Sequence, residues 1–392
     1  ELQHVSPNDG ATTRPEDPLT TDPAARHSVA RSGAGAVIVT GAAGFIGSHT
    51  VEALLGRGEH VVAIDAFTNH YDPSRKRANR AEVEATADRL TQAGSLARLT
   101  FVEGDCGDTA TLTRAFAVGE SMAGMPTTRV IHLAARAGVR SPADQAPDYI
   151  QTNVVATTAV LEACRMRGFG EIGDDGAPRG HLVIASSSSV YGGGPPGWDG
   201  PLDEAMSADR PLSVYAATKR ACELVAHAYT RTTGLRATLL RFFTVVGPRA
   251  RPDLTPSTFA AAIRDGRPLI RFGDGTMARD YTFVGDIVTG ILASLDRFEL
   301  AATGAVEPGE AYEIVNLGND RPVSLVHYLD TLGSLLDRTP IVAETPIPPS
   351  EPYRTWANLA KARRLLGYAP TTTFEDALAS FVDWWTATHP PA

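Results

Sequence analysis

The stretch "VIVTGAAGFIGSHTVEALLGRGEHVVAIDAF", residues 37 to 67, decides the fold. A β-branched run passes through Gly41, Gly44 and Gly47 into a helical pattern, and a second β-branched run follows that ends at Asp65. Glycines between a strand and a helix let the backbone approach a pyrophosphate, whose charge then sits on the helix N-terminus. An acid about 20 residues further on can accept hydrogen bonds from both adenosine ribose hydroxyls and would repel a 2′-phosphate. Three glycines alone make only a tight turn. Strand, glycines, helix, strand and acid in that order predict a dinucleotide site, for NAD rather than NADP. Phe45 and Ile46, inside the glycine segment, and Asn69, just past the second strand, belong to that predicted site.

The same rhythm continues outward. Short runs at 36–40, 60–65, 99–105, 129–135, 181–187 and 236–242 alternate with helical patterns at 45–57, 109–118, 145–167 and 213–232. This alternation is the signature of an α/β fold with a doubly wound parallel sheet and right-handed crossovers. Asp105 and Cys106, in "EGDCGD", close the third strand, and Asp105 either bonds the adenine amine or simply packs. Leu133, Ala134 and Ala135, in "HLAA", end the fourth strand with residues that permit close approach of a cofactor.

Beyond residue 246 the pattern becomes irregular, with Pro-rich loops, a helix at 256–265, isolated strands at 268–272 and 311–317, and helices at 324–337 and 374–387. The expected division is a disordered leader over 1–33, a cofactor-binding domain over 34–246 and a smaller C-terminal α/β lobe over 247–392 that mainly binds substrate. The leader is rich in Pro, Asp and Thr and has no apolar core of a signal peptide.

Bulk properties narrow the function. With 43% hydrophobic and 21% charged residues in 392, the chain reads as globular, with no apolar run of about 18 residues that would predict a membrane span. A formal charge of -9 argues against a nucleic-acid partner, because phosphate backbones are held by a basic face. Cys106, Cys164 and Cys222 are too few and too far apart for a zinc site or a disulfide framework, so no metal and a reducing cytoplasm are expected.

"SVYAATKRACELVAHAYTRTTG" places Tyr215 and Lys219 four residues apart, on one face of a predicted helix. An ammonium beside a phenol favours the phenolate, and a nicotinamide cation adds to that, so Tyr215 can serve as the base that removes an alcohol proton during hydride transfer. Tyr and Lys at this spacing are a weak pattern alone and a strong one after a full nucleotide fingerprint.

With these residues in place the chain resembles the extended short-chain dehydrogenases/reductases of the Rossmann type, in particular the nucleotide-sugar epimerases, from about residue 36 to 387. The nearer resemblance, to UDP-glucuronate 4-epimerases, rests on "NHYDPSRKR" (69–77), "HLAARAGVRSP" (132–142), "SSSSVYGG" (186–193), "PLSVYAATK" (211–219), "LRFFTVVGPRARPD" (240–253) and "GTMARDYTFVGDIV" (275–288). It implies that Ser187, three positions before Val190-Tyr191-Gly192, bonds the sugar's reacting oxygen, and that Ser188, Ser189 and Thr244 line a pocket for the sugar carboxylate. Ordinary capping of strand ends is the other reading of those three hydroxyls. Dehydratases and decarboxylases of similar sequence carry carboxylates in the serine loop, where this chain has Ser188 and Ser189.

Arg251, Arg279 and Arg354 stand where planar guanidiniums would serve a diphosphate, and Arg140 either reaches the sugar or makes a surface ion pair. The expected reaction is 4-epimerisation of UDP-glucuronate to UDP-galacturonate through a 4-keto sugar, with NAD regenerated in place. The alternatives are a neutral UDP-hexose 4-epimerase, a UDP-glucuronate decarboxylase and a protein that binds NAD without turnover. Cys106, Gly285 and Asn358 depart from the family pattern, and the segments 193–200 and 303–311 are longer than expected. Apolar positions on more than one face of the helices at 145–167 and 213–232 suit a homodimer built on a four-helix bundle, and burial within one subunit would leave the same mark.

Overall fold

The computed structural model describes residues 35–138, 143–173, 179–302, 309–348 and 351–390. Seven strands, β1 (Ala36–Thr40), β2 (His60–Asp65), β3 (Leu99–Glu103), β4 (Arg129–His132), β5 (His181–Ser187), β6 (Ala237–Phe242) and β10 (Tyr312–Leu317), form one sheet in the order β10-β6-β5-β4-β1-β2-β3. All six pairings are parallel. Alternation along β1 shows why this sheet is buried on both faces. Val37 and Val39 pack with Leu54 and Leu55 of α1 (Phe45–Gly56) and with Ile287 and Ile291 of α8 (Val284–Ala302). Ala36 and Ile38 point the other way, toward Leu112 and Phe116 of α3 (Thr109–Ala123) and Val160 and Leu161 of α5 (Ala156–Met166). Each fully buried Val, Leu or Ile contributes ~1.5–3 kcal/mol relative to exposure.

Sequence order reverses between β1 and β4, the point at which a doubly wound sheet opens a crevice at its carboxyl edge. The expected strands and helices form close to their predicted bounds. The run at 311–317 does not stand alone: β10 pairs with β6 and supplies the seventh strand of the main sheet. The polar helix α2 (Pro73–Gln92) was not expected, and it buries only Asn79 and Val83. The helical pattern at 145–167 is α4 (Ala146–Tyr149), a π-helical segment (Ile150–Val155) and α5.

The remaining strands are β7 (Thr244–Val246), β8 (Leu269–Phe272), β9 (Ala278–Phe283), β11 (Pro322–Ser324), β12 (Val342–Thr345) and β13 (Arg354–Thr355). A small sheet joins β7, β9, β11 and β13. Beneath it lies a third core, which includes Phe45 of the glycine segment together with Tyr281, Tyr328, Phe374 and Phe381. Asp280 ties this lobe together. Its fully buried carboxylate accepts from Asn319 N at 2.7 Å, Thr282 Oγ1 at 2.9 Å, Asp320 N at 3.0 Å and Ala357 N at 3.1 Å. Burial pushes that carboxyl up to about 6, so at neutral pH it is ionised and meets four donors.

Candidate active site

The glycine segment turns as its spacing predicts. Gly41 has φ +67°, and a Cβ there would lie 2.7 Å from Ala134 N; a Cβ on Gly47 would lie 2.1 Å from Gly41 O. A side chain on Gly41 would collide with the backbone just past β4, and one on Gly47 with the backbone of the glycine turn itself. Gly44 N donates to Gly41 O at 3.0 Å and α1 starts directly after it, so the N–H groups of its first turn, from Phe45 to Gly47, have no intrahelical acceptor. These residues therefore fit a pyrophosphate. Leu133 N donates to Thr40 O and Ala134 N to Thr40 Oγ1, each at 3.2 Å, which clamps the "HLAA" segment, with Ala135 next, against β1. Behind them His132, buried and lowered to about 3 by desolvation, bridges Thr40 Oγ1 at 2.7 Å and Thr157 Oγ1 at 3.0 Å as a neutral ring.

Asp65 is more committed than its position in sequence suggests. Its Oδ1 accepts from Phe67 N and Lys76 Nζ, both at 2.9 Å, and its Oδ2 from Ala43 N at 3.1 Å. A carboxylate has about four acceptor sites, so room remains for a ribose hydroxyl. Lys76, one turn into α2, is a site residue that the sequence reading did not single out, although it lies in the quoted "NHYDPSRKR" block. Asn69 is exposed in the turn before α2. Asp105 is exposed after β3, with Oδ1 accepting from Gly107 N at 2.8 Å. Cys106 is buried with Ile38, Val62 and Leu112, and desolvation pushes its thiol up to about 12.

Tyr215 and Lys219 occupy the first two turns of α6 (Val214–Thr233), which Ser213 caps by accepting from Ala216 N at 3.2 Å. Lys219 is 5% exposed and donates to Ala185 O on β5 at 2.8 Å, which pins the helix to the strand that ends at Ser187. Half-buried Tyr215 meets Tyr149 edge-on, with ring centroids 6.3 Å apart.

The serine run divides by direction. Ser186 is buried and donates to Glu223 Oε1 at 2.7 Å. Glu223 is in turn paired bidentately with buried Arg241, both bonds 2.8 Å long. Ser187 points the other way and caps the short helical turn Ser188–Tyr191, accepting from Ser189 N at 3.2 Å and Ser189 Oγ at 2.9 Å. The hydroxyl proton of Ser189 is thus directed to Ser187, whereas Ser188 and Thr244 stand half-buried at the ends of β5 and β7.

Each predicted diphosphate arginine has a carboxylate partner. Arg251 meets Asp253 at 2.6 Å and donates to Ala137 O at 3.1 Å. Burial disfavours its cation, but Asp253 and the nearby phenols of Tyr71 and Tyr215 outweigh that and raise it. Arg279, on β9, meets Glu351 at 3.1 Å. Arg354, on β13, meets Asp199 at 3.2 Å, so the long 193–200 segment is latched to it. Arg140 lies outside the described residues. Among those described, no group of three His, Cys, Asp or Glu side chains could hold a metal ion, and no helix is long and apolar enough to cross a membrane.

Comparison with known proteins agrees with this geometry. The chain is 38% identical over 362 residues to UDP-glucuronate 4-epimerase 1 of Arabidopsis thaliana, covering 91% of this chain and 77% of that protein. It is 33% identical over 357 residues to a probable UDP-glucuronate 4-epimerase of Rhizobium meliloti, covering 89% and 96% respectively. The crystal structure of UDP-glucuronic acid 4-epimerase from Bacillus cereus in complex with UDP-glucuronic acid and NAD superposes with a TM-score of 0.73 at 31% identity, over 90% of this chain and 99% of that one. Residues 37–318 match the NAD dependent epimerase/dehydratase family, and the chain belongs to it.

Proposed function

We propose that this enzyme interconverts UDP-glucuronate and UDP-galacturonate by inverting C4. The observation that carries this reading is the neutral serine turn at the end of β5, beside the helix that bears Tyr215 and Lys219. Oxidation at C4 of a glucuronate yields a β-keto acid, which loses its carboxylate readily. An epimerase must hold that carboxylate without helping it leave, and hydroxyl donors from Ser188 and Thr244 do this without a charge. Among the described residues the one carboxylate bonded to the serine run, Glu223, is neutralised by Arg241 in the core and faces away from Ser187.

NAD held on the glycine cradle supplies the acceptor that takes the C4 hydrogen as hydride and returns it. The chain's own residues do the rest. Tyr215 takes the proton of the 4-hydroxyl and gives it back, Ser187 orients that oxygen, and Lys219 keeps positive charge beside the phenol while it holds α6 on β5. Arg251, Arg279 and Arg354 bind the diphosphate in exchange for their resident carboxylates. The segments beyond residue 246, apart from α8 and β10, form the lobe that binds the nucleotide sugar.

Incubation with UDP-glucuronate and chromatographic separation of the products tests the reading. UDP-galacturonate is expected; a UDP-pentose, or conversion of UDP-glucose alone, would overturn it. The reading includes a homodimer, supported by Ile150, Val155 and Leu224, exposed by 50%, 42% and 53% on the neighbouring helical segments that the four-helix expectation names, and sedimentation at twice the chain mass is the expected result. A reducing cytoplasm is the compartment this reading takes, supported by three buried cysteines that form no disulfide.

A further inference from the structure

A cavity of about 290 Å³ opens between the start of α2, α7 (Thr255–Arg264) and α9 (Phe374–Thr388). Three guanidiniums line it: Arg75, Arg264 and Arg267. One carboxylate, Asp265, pairs with the latter two at 2.9 and 3.0 Å. Arg75 meets His389 Nδ1 at 3.5 Å and no carboxylate ion-pairs with it among the described residues. Ser257 and Trp384 line the cavity, and a buried donor on each, Ser257 Oγ (on a residue 7% exposed) and Trp384 Nε1, has no hydrogen-bond partner among the described residues. Unmet buried donors are uncommon in folded proteins and call for an acceptor.

The aromatic groups hold the arginines in place. Arg75 lies 5.8 Å from the Trp384 ring and Arg264 4.9 Å from that of Trp385, whose other neighbour is His389, stacked at 5.0 Å. Guanidiniums fixed in this way around unsatisfied N–H and O–H donors suit a multiply accepting anion. The volume, at the small end of ligand pockets, exceeds what a bare phosphate needs.

We propose that this cavity is a second anion site, which takes a phosphate group carried by a small molecule and adjusts the segment that bears Arg251. Ala250 and Pro252 line the cavity, and Arg251 between them bonds Ala137 O and Asp253 on the active-site side. Occupancy therefore biases the placement of a cation assigned to the nucleotide sugar. The coupling rests on the epimerase reading; the binding does not.

The test uses the holoenzyme with saturating UDP, which occupies the diphosphate site, and calorimetric titration with inorganic phosphate and, separately, glucose 1-phosphate. Saturable binding of at least one is expected, weakened at least about tenfold by Arg75→Gln and also reduced by Ser257→Ala. Tighter binding of the sugar phosphate identifies a phosphomonoester as the ligand class, and equal or tighter binding of phosphate identifies the free ion. The same ligand should change KM for UDP-glucuronate in the wild type and not in Arg75→Gln. Absence of saturable binding, or binding indifferent to both substitutions, overturns the site. Binding without a change in KM overturns the coupling alone.

Discussion

At the residue scale the proposed chemistry rests on a few atoms held by neighbours that take no part in it. Lys219 is fixed by Ala185 O and Ser187 by the proton of Ser189. Replacing Tyr215 by Phe keeps the ring against Tyr149 and removes only the proton carrier. Turnover should fall about 10²–10⁴-fold with KM nearly unchanged, as steady-state kinetics would show. A comparable loss of affinity would instead mark Tyr215 as a binding group. Asp199 occupies the guanidinium of Arg354 from the 193–200 segment. Asp199→Asn should therefore lower KM for the UDP-sugar, by no more than about fivefold, because an exposed pair is screened by solvent. A raised KM would show that the latch positions Arg354 rather than competing for it.

At the element scale, α6 is fastened to β5 and β6 by one buried ionic group. Arg241 and Glu223 have side chains 1% and 0% exposed, Ser186 joins them from β5, and Arg220 reaches Glu223 at 3.1 Å. Arg241 also lies 4.5 Å from the ring of Tyr191, whose hydroxyl donates to Asn316 Oδ1 at 2.7 Å. Arg241→Met leaves the carboxylate buried without its main partner and should cost about 3–5 kcal/mol, measured by urea unfolding. Adding Glu223→Gln in the same chain should recover part of that loss, since it removes the stranded charge.

Elements differ in how far their residues announce them. In α8, Val284, Ile287, Val288, Ile291, Leu292 and Leu295 recur at helical spacing, so its apolar stripe was legible, although it was not read as a helix. In α2 the charged run "PSRKRANRAEVEATADRLTQ" offers almost no such stripe, and the helix is marked only by Asp72 capping Ser74 N and by Pro73 in its first turn.

At the scale of the whole molecule, acid should loosen the fold through buried histidines. His132 and His181 are both fully enclosed, and desolvation lowers each to about 3 against an ordinary value of 6.5. Unfolded imidazoles take up protons below 6.5 and the folded ones do not until about 3. Their stabilising contribution is thus complete above 6.5 and lost as pH falls from there toward 3. His132→Gln, compared with the wild type by denaturant unfolding between pH 4 and 6, should reduce the slope of stability against pH by about one proton. An unchanged slope would mean that His132 is protonated in the native state.

Local order determined much of this protein by itself. The glycine spacing at 41, 44 and 47, the acid at 65, the strand-helix alternation and the Tyr215–Lys219 spacing are short-range features, each tied to one turn or one helix face, and such features are written in contiguous residues. Only the tertiary structure decided what depends on residues far apart in the chain. It joined β10 to β6, set Lys76 on Asp65, turned Ser186 toward Glu223 and Ser187 away from it, and paired each arginine proposed for the diphosphate with a carboxylate. Those pairings are fixed by which faces are buried together, and burial is a property of the packed molecule rather than of any stretch of its sequence.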